Sequence, residues 1–225
     1  MITVELPEFR DMDQQDIWNL VDSLRPLDNV FMHCMLERNV FLLEKTVRIL
    51  LQKHDLTIDI DNPIFPPHPG TLDTVATDKS GNVFMISLES VGHVEPASLA
   101  GMRVMNINHA RWERNQVTKT PHQYLFRIAE NDPFGENSPV YAVEMDDVPD
   151  EMAGIRIVYV NGAYRGDNGM GCLMHDFRCA SPDSVGLLEM SKTAQYYKRS
   201  ARGMRHVLHA LFGRQCFEEP LLTVA

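Results

Sequence analysis

Apolar side chains change their spacing once along this chain, and that change limits the folds open to it. Up to about residue 53 they recur at helical intervals. Past residues 61–70, which hold four prolines and a glycine, they fall into short strand-like runs. The spacing predicts a helix over Asp13–Leu24, with Ile17, Leu20, Val21 and Leu24 on one face and Pro26 stopping it. Asp28 can cap a second helix over Asn29–Leu36, and Asn39 a third running to about Lys53.

Strands follow. Thr71–Thr77 and Asn82–Glu89, joined by the turn Asp78-Lys79-Ser80-Gly81, predict a β-hairpin. A helix is expected from Pro96 to about Trp112, then strands over Tyr124–Ala129, Val140–Val143 and Ile155–Val160, with Asn161-Gly162 as a sharp turn. The segment from about Leu187 to Phe212 reads as helix, with Gly203 weakening its middle. This order suits an α/β sheet flanked by helices. No repeat and no boundary stands out, so the expectation is one domain over residues 1–225, with 187–225 as a helical C-terminal extension.

Composition narrows function more than fold. The 225 residues are 44% hydrophobic, which excludes wholesale disorder, and no apolar run is long enough to span a membrane. With 21 basic against 31 acidic residues the formal net charge is −10, so any nucleic-acid surface must be a local patch. Four scattered cysteines (Cys34, Cys172, Cys179 and Cys216) read as reduced thiols, and the first residues lack the pattern of a secretory signal. Both features point to the cytoplasm.

The charge is unevenly spread. Eight acids and no base lie between Arg127 and Arg156; six bases and no acid lie between Met190 and Phe217. The plain reading is a solvated loop and an exposed helix face, paired within the chain or across a homodimer. The sharper reading is that Lys198, Arg199, Arg202 and Arg205 hold a nucleic-acid backbone.

The hairpin carries the candidate chemistry. Asp73 lies on its first strand, and Ser87 and Glu89 share one face of its second because side chains alternate. Carboxylates on neighbouring strands can hold a hard divalent cation, which activates water and stabilises charge on a phosphate. More commonly such a pair simply faces solvent.

Several collinear segments extend the picture. Leu27-Asp28-Asn29-Val30-Phe31-Met32, the hairpin Leu72-Asp73-x-x-Ala76-x-Asp78-x-x-Gly81-x-Val83-Phe84-x-Ile86, and Asn131-Asp132-Pro133-Phe134-Gly135 with Pro139-Val140-Tyr141 are three of them. Tyr159-Val160-Asn161-Gly162-x-Tyr164-Arg165-Gly166 and Leu173-Met174-His175-Asp176-Phe177 are two more. Together, over roughly residues 27–200, they resemble the recombination-promoting nuclease and transposase-like group of the PD-(D/E)XK nuclease superfamily. The resemblance implies a restriction-endonuclease-like fold with a central mixed sheet flanked by helices. It also implies Mg²⁺-dependent cleavage of DNA phosphodiesters.

The chain departs from that group at the catalytic hairpin. Asp73 matches the family's aspartate, but its glutamate falls on Ser87 and its glutamine or lysine on Glu89. Two outcomes follow. Either Glu89 serves with Asp73 as metal ligand and catalytic acid from one pleat along, or hydrolysis is lost and the fold binds another protein or nucleic acid. One pleat is a displacement of about 6 to 7 Å, large beside metal–oxygen distances of about 2.0 to 2.6 Å. Asp28 is a third candidate carboxylate, which helix capping explains more simply. Cys172-x-x-His175-x-x-x-Cys179 lacks a fourth ligand and standard spacing, so no zinc is expected. The glycine-rich segment Gly166–Gly171 reads as a turn.

Overall fold

The computed structural model describes residues 12–59, 71–94, 122–143 and 155–213. The expected 61–70 loop, the 96–112 helix, Arg214 and the acids from Glu144 to Glu151 lie outside them. Contacts divide the chain into two compact units: Val47–Tyr164, which holds the sheet, and a helical unit assembled from Met1–Thr46 and Arg165–Ala225.

In the helical unit, α1 (Gln14–Ser23) opens with a capping box: the Asp16 amide donates to Asp13 Oδ1 at 2.8 Å and the Asp13 amide to Asp16 Oδ2 at 3.3 Å. Ile17 and Val21 are its buried stripe. Helix α2 (Asn29–Leu36) begins after Asp28, but Asp28 makes no side-chain cap. Its carboxylate turns back to accept the Arg25 amide at 2.6 Å and to pair with the Arg25 guanidinium at 2.8 Å. Asn39 does cap α3 (Val40–Leu51), accepting from the Leu42 amide at 3.1 Å.

Helix α4 (Gly169–Arg178) starts inside the glycine-rich segment expected to be a turn. Asn168 caps it, taking the Gly171 amide at 2.9 Å, and a side chain at 171 would meet the Gly166 carbonyl oxygen at 1.8 Å. The terminal helix expected as one run weakened at Gly203 is two, α5 (Leu188–Arg199) and α6 (Ala201–Phe212), which meet at Ser200. Both pack on α2, and α6 also meets α1. Phe31, Met32, Met190, Ala194, Tyr197, Met204 and Val207 are among the side chains buried in this unit, and the Phe31 and Tyr197 rings meet edge-on at 6.3 Å.

The other unit is a six-stranded mixed sheet, so the chain is α/β. Its strands are β1 (Thr57–Ile58), β2 (Leu72–Thr77), β3 (Val83–Gly92), β4 (His122–Ala129), β5 (Val140–Val143) and β6 (Ile155–Asn161), in the order β1-β2-β3-β4-β6-β5. β2 and β3 form the expected antiparallel hairpin, while β3, β4 and β6 run parallel. Asp78 builds the hairpin turn: its carboxylate accepts the Ser80 and Asn82 amides, each at 2.9 Å, and the Asn82 side-chain amide at 2.8 Å. The Asn82 side chain foremost, then its amide and Lys53 at 3.2 Å, hold the Asp78 carboxyl down at about 2. One sheet face buries Leu125, Ala129, Ile157 and Tyr159; the other buries Ile86, Leu88, Phe126, Val158 and Val160.

Candidate functional site

The hairpin register fixes the first part of the site. Asp73 and Ser87 are direct antiparallel partners, and Glu89 lies two residues along β3 on the same face. Ser87 is buried. Both carboxylate oxygens of Asp73 are also buried, with no hydrogen-bond partner among the described residues.

Glu89 is differently placed. Its parallel partner on β4 is Arg127, and Arg127 is in turn the partner of Tyr159 on β6. Arg127 Nε donates to Glu89 Oε2 at 3.2 Å and Nη2 to Oε1 at 3.5 Å, while Nη1 donates to the Tyr159 hydroxyl at 3.1 Å. Burial disfavours the guanidinium charge, but the Glu89 and Tyr159 bonds outweigh it and raise the Arg127 pKa. The row continues to Tyr141 on β5, whose hydroxyl donates to Asp132 at 2.6 Å. Asp132 also accepts the amides of Phe134, Gly135 and Asn137 and so shapes the Asn131–Gly135 turn.

Two rows therefore cross this face. Asp73, Ser87, Leu125 and Ile157 make one; Glu89, Arg127, Tyr159 and Tyr141 make the next. Sequence reasoning brought Asp73, Ser87 and Glu89 together on one face but missed Arg127, the partner that neutralises Glu89. Its signal was a lone cation in the otherwise apolar run Leu125–Ala129. Magnesium takes one or two carboxylates with waters and substrate phosphates. The described residues leave Asp73 as the one carboxylate without a partner in these rows, and no group of three His, Cys, Asp or Glu side chains able to hold a metal forms among them. Asp73 is left to offer oxygen ligands, while Glu89 is already paired with Arg127.

The basic segment of the helical unit divides. Lys198 does not belong to an exposed face: it is 3% exposed, its ammonium donates to the carbonyls of Asp22 and Ala180, and it lies 5.3 Å from the Phe31 ring centre. Burial pushes it down to about 8. Helical spacing signalled this, since Met190, Ala194, Tyr197 and Lys198 stand at i, i+4, i+7 and i+8. Arg199 is exposed but paired with Asp183. Arg202 and Arg205 line a groove of about 790 Å³ formed with the turn between α2 and α3 and with α5.

Two further cations, Arg38 and Lys192, line the same groove. None of these four has an ion-pair partner among the described residues. Tyr196, 43% exposed, and the imidazoles of His206 and His209 complete the polar and aromatic lining. Burial, with Arg38 next, lowers the His206 pKa. The Asn39 side chain donates to Thr193 Oγ1 at 2.9 Å and ties the start of α3 to α5 at the rim. Lys192 belongs to the basic run but not to the four residues expected at a backbone, and Arg38 stands apart from that run in sequence.

The other sequence candidates hold structure together. Asp176 is buried and accepts the Gly186 and Leu187 amides at 2.8 and 2.7 Å, with His175 Nδ1 at 3.0 Å. The Cys179 sulfur lies 3.8 Å from His175 Nδ1, whereas Cys172 is exposed. No helix among the described residues is long and apolar enough to cross a membrane. Comparison of the chain with protein-family models, curated proteins and solved structures gave no match.

Proposed function

We propose that this chain is a degenerate nuclease-fold protein of the PD-(D/E)XK type, which binds nucleic acid and does not hydrolyse it. The mixed sheet with an antiparallel hairpin carrying Asp73 supports the restriction-endonuclease-like part of the reading. The observation that carries the loss of hydrolysis is the Arg127 guanidinium on both oxygens of Glu89, with Ser87 opposite Asp73. One carboxylate is neutralised by a fixed internal cation and the other stands across from a neutral hydroxyl. Neither Mg²⁺ nor an attacking water then has the ligand set that phosphodiester cleavage asks for. Retained binding rests on the groove with Arg38, Lys192, Arg202 and Arg205, which supplies local positive charge in a chain of net charge −10.

The second reading, an active Mg²⁺-dependent endonuclease, is favoured by the two unpartnered oxygens of Asp73, which a cation would satisfy. Incubation of the pure protein with supercoiled, linear and single-stranded DNA in Mg²⁺ and in Mn²⁺ separates the two. The expected result is retention of DNA at low salt with no strand breaks. Cleavage that disappears in the Asp73→Asn variant would establish the enzyme.

A further inference from the structure

The groove of the helical unit has a composition that a duplex does not exploit. A duplex presents phosphates on a convex surface and keeps its bases stacked inside, so it is met by an open cationic face. Here the cations surround a concavity of about 790 Å³ that also exposes an aromatic ring. We infer that this groove holds single-stranded nucleic acid, with an unstacked base on Tyr196 and adjacent phosphates on Arg38, Lys192, Arg202 and Arg205. The inference rests on the nucleic-acid-binding reading above and specifies its ligand and site.

Three features support it. Tyr196 is held edge-on against Tyr197 at 5.1 Å between ring centres, and Tyr197 is buried and packed on Phe31. The exposed ring is therefore a fixed platform, and base stacking on such a platform is sequence-tolerant. The four cations come from three places, the turn after α2, α5 and α6, so they converge on the groove that exposes the ring rather than trail along one helix. Finally, the cations of the same region that point elsewhere are already committed, Lys198 to carbonyls and Arg199 to Asp183.

The test uses the full chain, a labelled twelve-nucleotide oligothymidylate and a duplex of the same length, in fluorescence anisotropy over a salt series. The single strand is expected to bind tighter than the duplex. Tyr196→Ala should weaken it by about tenfold or more, and Tyr196→Phe should restore it, because the ring and not the hydroxyl is used. Arg202→Gln with Arg205→Gln should flatten the salt slope by about 0.7 for each phosphate contact removed. Duplex binding as tight as single-strand binding, indifferent to Tyr196→Ala, overturns this inference and leaves the binding reading standing. Absence of binding by either oligonucleotide at low salt overturns both. Cleavage of the bound strand overturns the loss of hydrolysis alone.

Discussion

A guanidinium held between a carboxylate and a phenol, as Arg127 is between Glu89 and Tyr159, does the electrostatic work that a bound cation would otherwise do on that face. Ser87 sets the limit on the neighbouring row, because a hydroxyl opposite Asp73 adds no charge. Ser87→Glu would place two carboxylates directly across one strand pair, and like charges in that position repel. The variant should melt below the wild type without metal and regain stability in Mn²⁺, by about 2.7 kcal/mol at a hundredfold excess over Kd. Equal melting curves with and without Mn²⁺ would show that Asp73 does not face the added acid. Lys198 gives a prediction of a different kind. Burial lowers it to about 8 from a lysine's ordinary 10.5, against the offsetting pull of Asp22 and Asp28. Between those values the folded chain binds fewer protons than the unfolded one, so this residue's contribution to stability rises with pH across that window. Measured against Lys198→Met by denaturant unfolding, the wild type should gain up to about 3 kcal/mol from pH 8 to 10.5. A constant difference would mean that the ammonium is not desolvated. The residues that the chain's pattern exposed were those whose meaning is local: Asp73, Ser87 and Glu89 by strand alternation, Asn39 as the cap of α3. Arg127 and Lys198 were misread or missed because their meaning comes from partners 38 and 176 positions away.

At the scale of elements, the junction of α5 and α6 is the most constrained place in the helical unit. Ser200 closes one helix and opens the next: its hydroxyl donates to the Tyr196 carbonyl at 2.7 Å and accepts the Gly203 amide at 3.0 Å. Gly203 lets α6 lie against that corner, since a side chain there would meet the Tyr196 carbonyl oxygen at 2.2 Å and Tyr197 Cα at 2.7 Å. Gly203→Ala should therefore destabilise the protein by about 1 to 3 kcal/mol, even though alanine favours an isolated helix by about 1 kcal/mol. It should also weaken oligonucleotide binding, because Tyr196 and Arg202 flank the displaced corner. An unchanged or raised melting temperature would contradict the packing described. Periodicity located α1, α2, α3, the strands β2 to β6 and the segment of α5 and α6, though not β1 or α4, because caps, turns and alternation act over a few residues. It read α5 and α6 as one helix weakened at Gly203, because propensity marks only the glycine, whereas the chain turns where a serine can serve both ends. It also read Gly166–Gly171 as a turn, although Asn168 could be seen to offer a cap. Parallel pairing of β3, β4 and β6 had no local signal at all, since it is set by contacts across long crossovers.

At the scale of the whole molecule, the acidic total and the basic groove act on different lengths. A net charge of −10 sets a long-range field that salt screens over about 10 Å at 0.1 M, while the groove acts at contact. On the binding reading proposed above, a polyanion would gain little from long-range steering and would be held by contacts in the groove. The division into units has a further effect on how the chain is made. The sheet unit is one uninterrupted stretch, Val47–Tyr164, inserted between the two halves of the helical unit. During synthesis, which proceeds at about 5 to 20 residues per second and folds N-terminal parts first, the sheet can close while α5 and α6 are still untranslated. Helices α1 and α2 must wait, with Phe31 and Met32 uncovered, until the segment through Phe212 leaves the ribosome. The apolar faces of α1 and α2 therefore stay uncovered while the whole sheet unit is translated, and a holdase that shields α2 would act during that interval.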